Sequence, residues 1–189
     1  FTPHSIRTAT GKPKQRIAIT QDFAAPRETV FAQLTDHNKV GPILGAKMVR
    51  IKDGDDATNG LHSVRKVTIG PLSFEETVVR FEAPERMEYT VTTKAPIKNH
   101  RGIMLFEDTG TGSRLHYEIL FDGRYPLTGG LIRKQLETAI SKGLSRYAAS
   151  LACTGGVSAR DQRGHSPSPL HIPHPTTPDQ HSDAVLRLM

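Results

Sequence analysis

Between Thr128 and Ala152 the chain reads TGGLIRKQLETAISKGLSRYAASLA, and no other stretch constrains the fold as tightly. Leu131, Ile132, Leu136, Ile140, Leu144, Tyr147 and Leu151 recur at i, i+3, i+4 and i+7 spacing. That is one apolar stripe on a helix of about seven turns. Arg133, Lys134, Glu137, Lys142 and Ser145 take the other side. Residues 16–121, ahead of it, read mostly as short strands. A long amphipathic helix that follows strands needs a sheet to bury its stripe, so the expectation is an α+β domain in which the helix closes a sheet.

The rest of the chain supplies that sheet. Arg16–Phe23 reads as a first strand, and Ala25-Pro26-Arg27-Glu28 opens a helix with Pro26 suited to its first turn. A second short helix is expected over Asn38–Leu44. A meander follows, with strands at Lys47–Lys52, Leu61–Ile69, Leu72–Phe81, Arg86–Thr93, Asn99–Glu107 and Arg114–Phe121. Turn-forming Gly, Pro, Asn and Asp separate them. The result is about seven strands, two small helices after the first, and the long terminal helix.

Composition divides the chain in three. Only 36% of residues are hydrophobic, below the usual ~45–50%, so part of the chain lies outside a core. Residues 1–14 read as a flexible lead-in, 15–152 as the folded domain, and 153–189, with Pro167, Pro169, Pro173, Pro175 and Pro178, as a disordered tail. The net charge of +6 is spread thinly: Arg7, Lys12 and Lys14 have no acid beside them in the lead-in, and the tail is balanced. No dense basic cluster interleaves with aromatics, so nucleic acid is not an expected partner. No run of 18 apolar residues exists, so stable membrane insertion is not expected either. The single Cys153 fits a reducing compartment, and FTPHSIRTATGKPKQ carries no apolar signal-peptide core. The expectation is a cytoplasmic protein, although a leader ahead of Phe1 would not be seen in these residues.

Period-2 alternation selects an inner face for each strand. A two-residue turn at Gly70-Pro71 pairs Ile69 with Leu72, Val67 with Phe74 and Arg65 with Glu76, opposite charges on an otherwise apolar face. A one-residue bulge would bring Glu75 there instead, and an outward Arg65 would make the pair a surface one. In the later strands the inner sets are Met87, Tyr89 and Val91; His100, Gly102, Met104 and Phe106; and Leu115, Tyr117, Ile119 and Phe121. An inward ion pair is costly without further hydrogen bonds, which points to a solvated interior, hence a cavity. Arg65, Glu76, Tyr89, His100 and Tyr117 are its candidate polar groups.

Catalytic and cofactor motifs are missing. Gly110–Gly112 lies between two strands, where no helix N-terminus could hold a phosphate. Asp53, Asp55 and Asp56 lack the rest of a calcium loop. His165, His171, His174 and His181 match no structural zinc spacing. No cofactor or metal is expected. His100 is the best acid–base candidate by its unperturbed pKa.

The phrases AAPRETVFAQLTD (24–36), NGLHSVRKVTIGPLSFEETV (59–78), FEAPERMEYTV (81–91), RGIMLFE (101–107) and GTGSRLHYEILFDG (110–123), taken in order, resemble the START/Bet v 1-like helix-grip superfamily. Within it they are similar to the polyketide cyclase/dehydrase and lipid-transport group common in bacteria. The resemblance implies a seven-stranded antiparallel sheet gripping the C-terminal helix, two short helices closing one end, and an apolar cavity for lipids, sterols or polyketide-like molecules. With such a cavity, Met104 from the inner set of its strand and Ile140 from the helix stripe join the candidate ligand contacts. The resemblance would also explain Gly143, whose missing side chain leaves room either for a ligand or for close packing on the sheet. Many relatives carry a Trp after the first helix; here Val40-Gly41-Pro42 stands in that region. The implied function is binding or carriage of a small hydrophobic molecule, with Arg65 taking a carboxylate or phenolate. Alternatives are a cyclase/aromatase using His100 or Tyr117, and a partner-binding module.

Overall fold

A computed structural model describes residues 12–155. Strand β1 (Gln15–Phe23) leads into α1 (Arg27–Thr35) and α2 (Gly41–Leu44). Six strands follow: β2 (Lys47–Lys52), β3 (Val64–Ile69), β4 (Leu72–Glu82), β5 (Arg86–Val91), β6 (Ile97–Thr109) and β7 (Gly112–Gly123). Helix α3 (Thr128–Gly155) ends the described residues. The seven strands form one antiparallel sheet in the order β1-β7-β6-β5-β4-β3-β2, an open sheet with the first two strands at its edges. The lead-in before residue 12 and the tail beyond 155 fall outside the described residues. Cys153 lies on the last turn of α3, exposed and free.

The inner face follows the alternation. Ile17, Val67, Val78, Met87, Met104, Leu115 and Phe121 are buried on it, and each is flanked along its strand by less buried neighbours, apart from Glu88 beside Met87. Gly70-Pro71 makes the two-residue turn, so Ile69 pairs with Leu72, Val67 with Phe74 and Arg65 with Glu76. The ladder has no bulge there, and Arg65 faces inward. At the other end of β3, residues Leu61–Ser63 turn rather than extend, because His62 sits in the left-handed region at φ 62°. The last hairpin is tighter than the glycine-rich run suggests. Thr109 pairs with Gly112 across a two-residue turn, which lengthens both strands.

Helix α3 packs mainly on β1, β7 and α2. Ile140 and Leu144 are buried in the core, whereas Leu131, on the same stripe, is exposed. The first turns of α3 therefore overhang an opening between the helix and the β3–β4 hairpin. Gly143 explains how α2 reaches the helix: a Cβ there would stand 1.6 Å from the Ile43 carbonyl oxygen. The glycine costs the helix about 1 kcal/mol and allows backbone-to-backbone approach. No helix among the described residues is long and apolar enough to cross a membrane.

Candidate functional site

The space between sheet and α3 has two parts. The outer one, about 240 Å³, is bounded by Leu44, Leu72, Phe74, Pro96, Ile132 and Leu136 and opens beside the β3–β4 hairpin. The inner one, about 60 Å³, shares Leu44, Ile69, Phe74, Ile97 and Leu136 with it. It ends on Glu76, Tyr89, His100 and Tyr117, with Ile140 on the helix side. An apolar passage thus leads to a polar floor.

Four strands build that floor. Arg65 on β3, 1% exposed, donates from Nε to Glu76 Oε2 at 2.7 Å. Its guanidinium carbon lies 4.4 Å from the centre of the Tyr89 ring, a cation–π contact. Its two terminal nitrogens are buried and have no hydrogen-bond partner among the described residues. Arg65 does not line the cavity; it stands behind Glu76 and Tyr89. Tyr89 on β5 pairs across the ladder with Gly102. Only a glycine fits there, since a Cβ would stand 2.2 Å from the ring carbon that bears the hydroxyl. The ring crosses β6 in that gap, and its hydroxyl is hydrogen-bonded to the Tyr117 hydroxyl on β7. His100 packs its ring 5.5 Å from that of Tyr89 and leaves Nδ1 buried without a hydrogen-bond partner among the described residues.

Burial sets the protonation states. It lowers the His100 pKa, with the Arg65 charge acting the same way and Glu76 opposing, so His100 is neutral at pH 7. Burial pushes Tyr117 up to about 12 despite Arg65, and raises Tyr89 well above the ordinary phenol value. Both tyrosines stay protonated. One hydroxyl proton lies in the bond between them, and the other is free to be donated. Burial works against the Arg65 charge, but Glu76 more than restores it. Arg65 and Glu76 cancel, which leaves a neutral floor with a carboxylate acceptor, a phenol donor and an imidazole.

Of the residues singled out from the sequence, Glu76, Tyr89, His100, Tyr117 and Ile140 meet at the inner chamber, with Arg65 behind them. Met104 is fully buried in the core and is absent from the chamber walls. Gly143 faces the Ile43 carbonyl rather than the chamber. A carboxylate on Arg65 is not what the geometry offers, because the guanidinium is covered by its own partners.

Two buried polar groups have no warning in the sequence pattern. His37, in the polar turn after α1, is fully buried and bonded through Nε2 to Ser63 Oγ at 2.8 Å. The Ser63 hydroxyl proton is committed to the Gly60 carbonyl, so Nε2 carries the hydrogen and Nδ1 is a bare acceptor. Burial, followed by the Arg65 and Arg50 charges, lowers its pKa to about 3. Glu88 alternates with Met87 and Tyr89 and so faces away from the cavity, yet it too is 1% exposed, covered by arginines. Among the described residues no group of three or more His, Cys, Asp or Glu could hold a metal ion.

The family described as polyketide cyclase / dehydrase and lipid transport matches residues 14–152. A START superfamily protein from Mycobacterium smegmatis has a similar structure, with TM-score 0.61 and 12% identity, covering 72% of this chain and 98% of that one. XoxI from Bacillus cereus aligns with TM-score 0.57 and 11% identity over 74% and 97% of the two chains. Ara h 8.0201 aligns with TM-score 0.52 and 16% identity over 72% and 98%. At these identities the likeness is one of fold alone. A search of curated proteins found no match.

Proposed function

The chain belongs to the polyketide cyclase/dehydrase and lipid-transport family, and on that premise we propose that it binds or carries a small hydrophobic molecule whose inner end bears a neutral oxygen group, a hydroxyl or a ketone. The observation that carries this reading is the convergence of Glu76, Tyr89, His100 and Tyr117 on the closed end of an otherwise apolar passage. A ligand hydroxyl would donate to Glu76, and a ligand carbonyl would accept the free tyrosine proton. An anionic end is disfavoured, because the Glu76 carboxylate faces the chamber while Arg65 does not. The two chambers together reach only the low end of the ~300–1,000 Å³ usual for small-molecule sites. A larger ligand would leave its tail in the mouth.

A matched pair of probes tests this. Naphthol should bind more tightly than naphthalene, the preference resting on one or two hydrogen bonds of about 1 kcal/mol each, or roughly fivefold apiece. Glu76→Gln combined with Tyr117→Phe should erase most of the preference, and Tyr117→Phe alone should cut it by at most about fivefold, leaving naphthalene binding unchanged. Equal affinity of the native protein for both probes would sink the proposed head-group recognition, and no binding of either would sink the cavity reading.

A second reading, acid–base turnover of the bound molecule, is favoured by the neutral, buried His100 beside a protonated tyrosine. His100→Ala separates the two readings. A carrier keeps its affinity and has no turnover to lose, whereas an enzyme keeps affinity and loses rate.

A further inference from the structure

Among the described residues nine large apolar side chains are exposed, and five of them gather at the cavity mouth: Ile69, Leu72, Tyr125, Leu127 and Leu131. Ile69 and Leu72 form the tip of the β3–β4 hairpin and bound the outer chamber. Tyr125 shares a surface hollow with Leu72, Phe74 and Pro96. Leu131 stands one helical turn before Gln135, itself a mouth residue. Leu127 is the extreme case, 100% exposed and held at φ 63°, a left-handed conformation unusual for a bulky side chain. A strained backbone thus presents a leucine that no other described residue covers.

The charges around this ring are mostly of one sign, with Asp122 opposite Lys98 on the β6–β7 ladder but bonded to the Lys14 amide and Asn99. Of the segments around the mouth, which is completed by Leu44, Gly45 and Ala139, residues 69–74, 92–98 and 124–136 contain Lys94, Lys98, Arg124, Arg133 and Lys134 and no aspartate or glutamate. Arg133 is paired with Glu137 one turn further along α3. The other four make no ion pair among the described residues. The rest of the sheet surface, by contrast, is laced with balanced pairs such as Arg16–Glu118 and Arg114–Asp22.

We propose that the mouth of the cavity docks on an anionic lipid surface, with Leu127 and Leu131 entering the interface and Lys94, Lys98, Arg124 and Lys134 contacting lipid phosphates. Apolar side chains ringed by unpaired cations match the headgroup–acyl boundary of such a surface. A purely apolar protein partner would be served by the leucines but would leave the cations unanswered. The inference stands on the surface and does not depend on what the inner chamber binds.

The test is co-sedimentation of the full chain with vesicles of phosphatidylcholine alone and of equal parts phosphatidylcholine and phosphatidylglycerol, at low and at moderate salt. Binding is expected on the mixed vesicles only, weakening as salt rises. Lys94→Gln, Lys98→Gln and Lys134→Gln should each weaken it by about fivefold. The Leu127→Asp/Leu131→Asp variant should lose it altogether while binding naphthol in free solution as the native protein does, which separates this inference from the cavity reading. Equal binding to both vesicle types, or no binding to either, overturns the proposal. So does a native dimer that the same double variant converts to a monomer in sedimentation velocity, since a second copy of the chain would then be the occupant.

Discussion

Glu76 and Glu88 sit on neighbouring strands of one sheet, both buried, both held by arginine, and facing opposite ways. On the outer face Glu88 takes Arg86 Nε at 2.6 Å and Arg101 Nε at 2.7 Å, with a second nitrogen of each arginine close by and Arg80 at 3.8 Å. Burial opposes its charge, but Arg101 and Arg86 more than compensate and hold its pKa down. Those arginines reach solvent and can reorient. On the inner face one arginine meets one carboxylate, the arginine is sealed, and two of its nitrogens have no hydrogen-bond partner among the described residues. The same chemistry therefore does two jobs. Outside, surplus cations cover a carboxylate and tie three strands together. Inside, a matched pair sets the charge of a chamber floor to zero and leaves hydroxyl, imidazole and carboxylate groups to face it.

The contrast predicts unequal costs for equal changes. Glu76→Ala strands a buried guanidinium and should destabilise the fold by about 3–5 kcal/mol in urea unfolding. Adding Arg65→Met should recover most of that loss, since a buried pair is often replaceable by apolar side chains. Gly102→Ala forces the Tyr89 ring off β6 and should cost about 1–3 kcal/mol of overpacking, together with the extra affinity for naphthol over naphthalene.

Acid should find the inner side as well. His37 is neutral when folded, with a pKa of about 3, against about 6.5 when unfolded. The unfolded chain binds the extra proton between those values. The stability that His37 preserves is complete above about pH 6.5 and is lost at about 1.4 kcal/mol per pH unit as pH falls toward 3. His37→Gln should flatten that slope, and an unchanged slope would mean that His37 is protonated in the native state. Glu88→Ala closes the series at about 1–2 kcal/mol, because its arginines re-enter water. A cost equal to that of Glu76→Ala would break the comparison.

How much of this was legible in the sequence depended on whether the deciding contact was local. The Arg65–Glu76 register follows from Gly70-Pro71 once the turn is known to have two residues, since that fixes every pair of its hairpin. Neither the absence of a bulge nor the inward face of Arg65 is readable from the turn alone. The inner faces of β5, β6 and β7 followed from alternation, and α3 from its stripe. Three features depended on distant partners and were not legible. Gly143 reads equally as room for a ligand or as close packing on the sheet, but its neighbour is the Ile43 carbonyl of α2. His37 sits in a turn of Asp, His and Asn that reads as surface, and only the docking of Ser63 beneath it makes it core. Leu131 belongs to the apolar stripe, yet α3 lies toward β1 and β7 and leaves that first turn over the mouth. A helical period tells which residues share a side, not where the sheet beneath it ends.

Gly102 has a consequence for descent. Tyr89 reaches Tyr117 only across a strand that presents hydrogen where every other amino acid presents carbon. Any missense change at this codon puts a methylene or larger group into the ring, so this position can drift only if the tyrosine drifts with it. A distant chain that shares this sheet and builds the same chamber floor should therefore carry glycine facing tyrosine across β5 and β6.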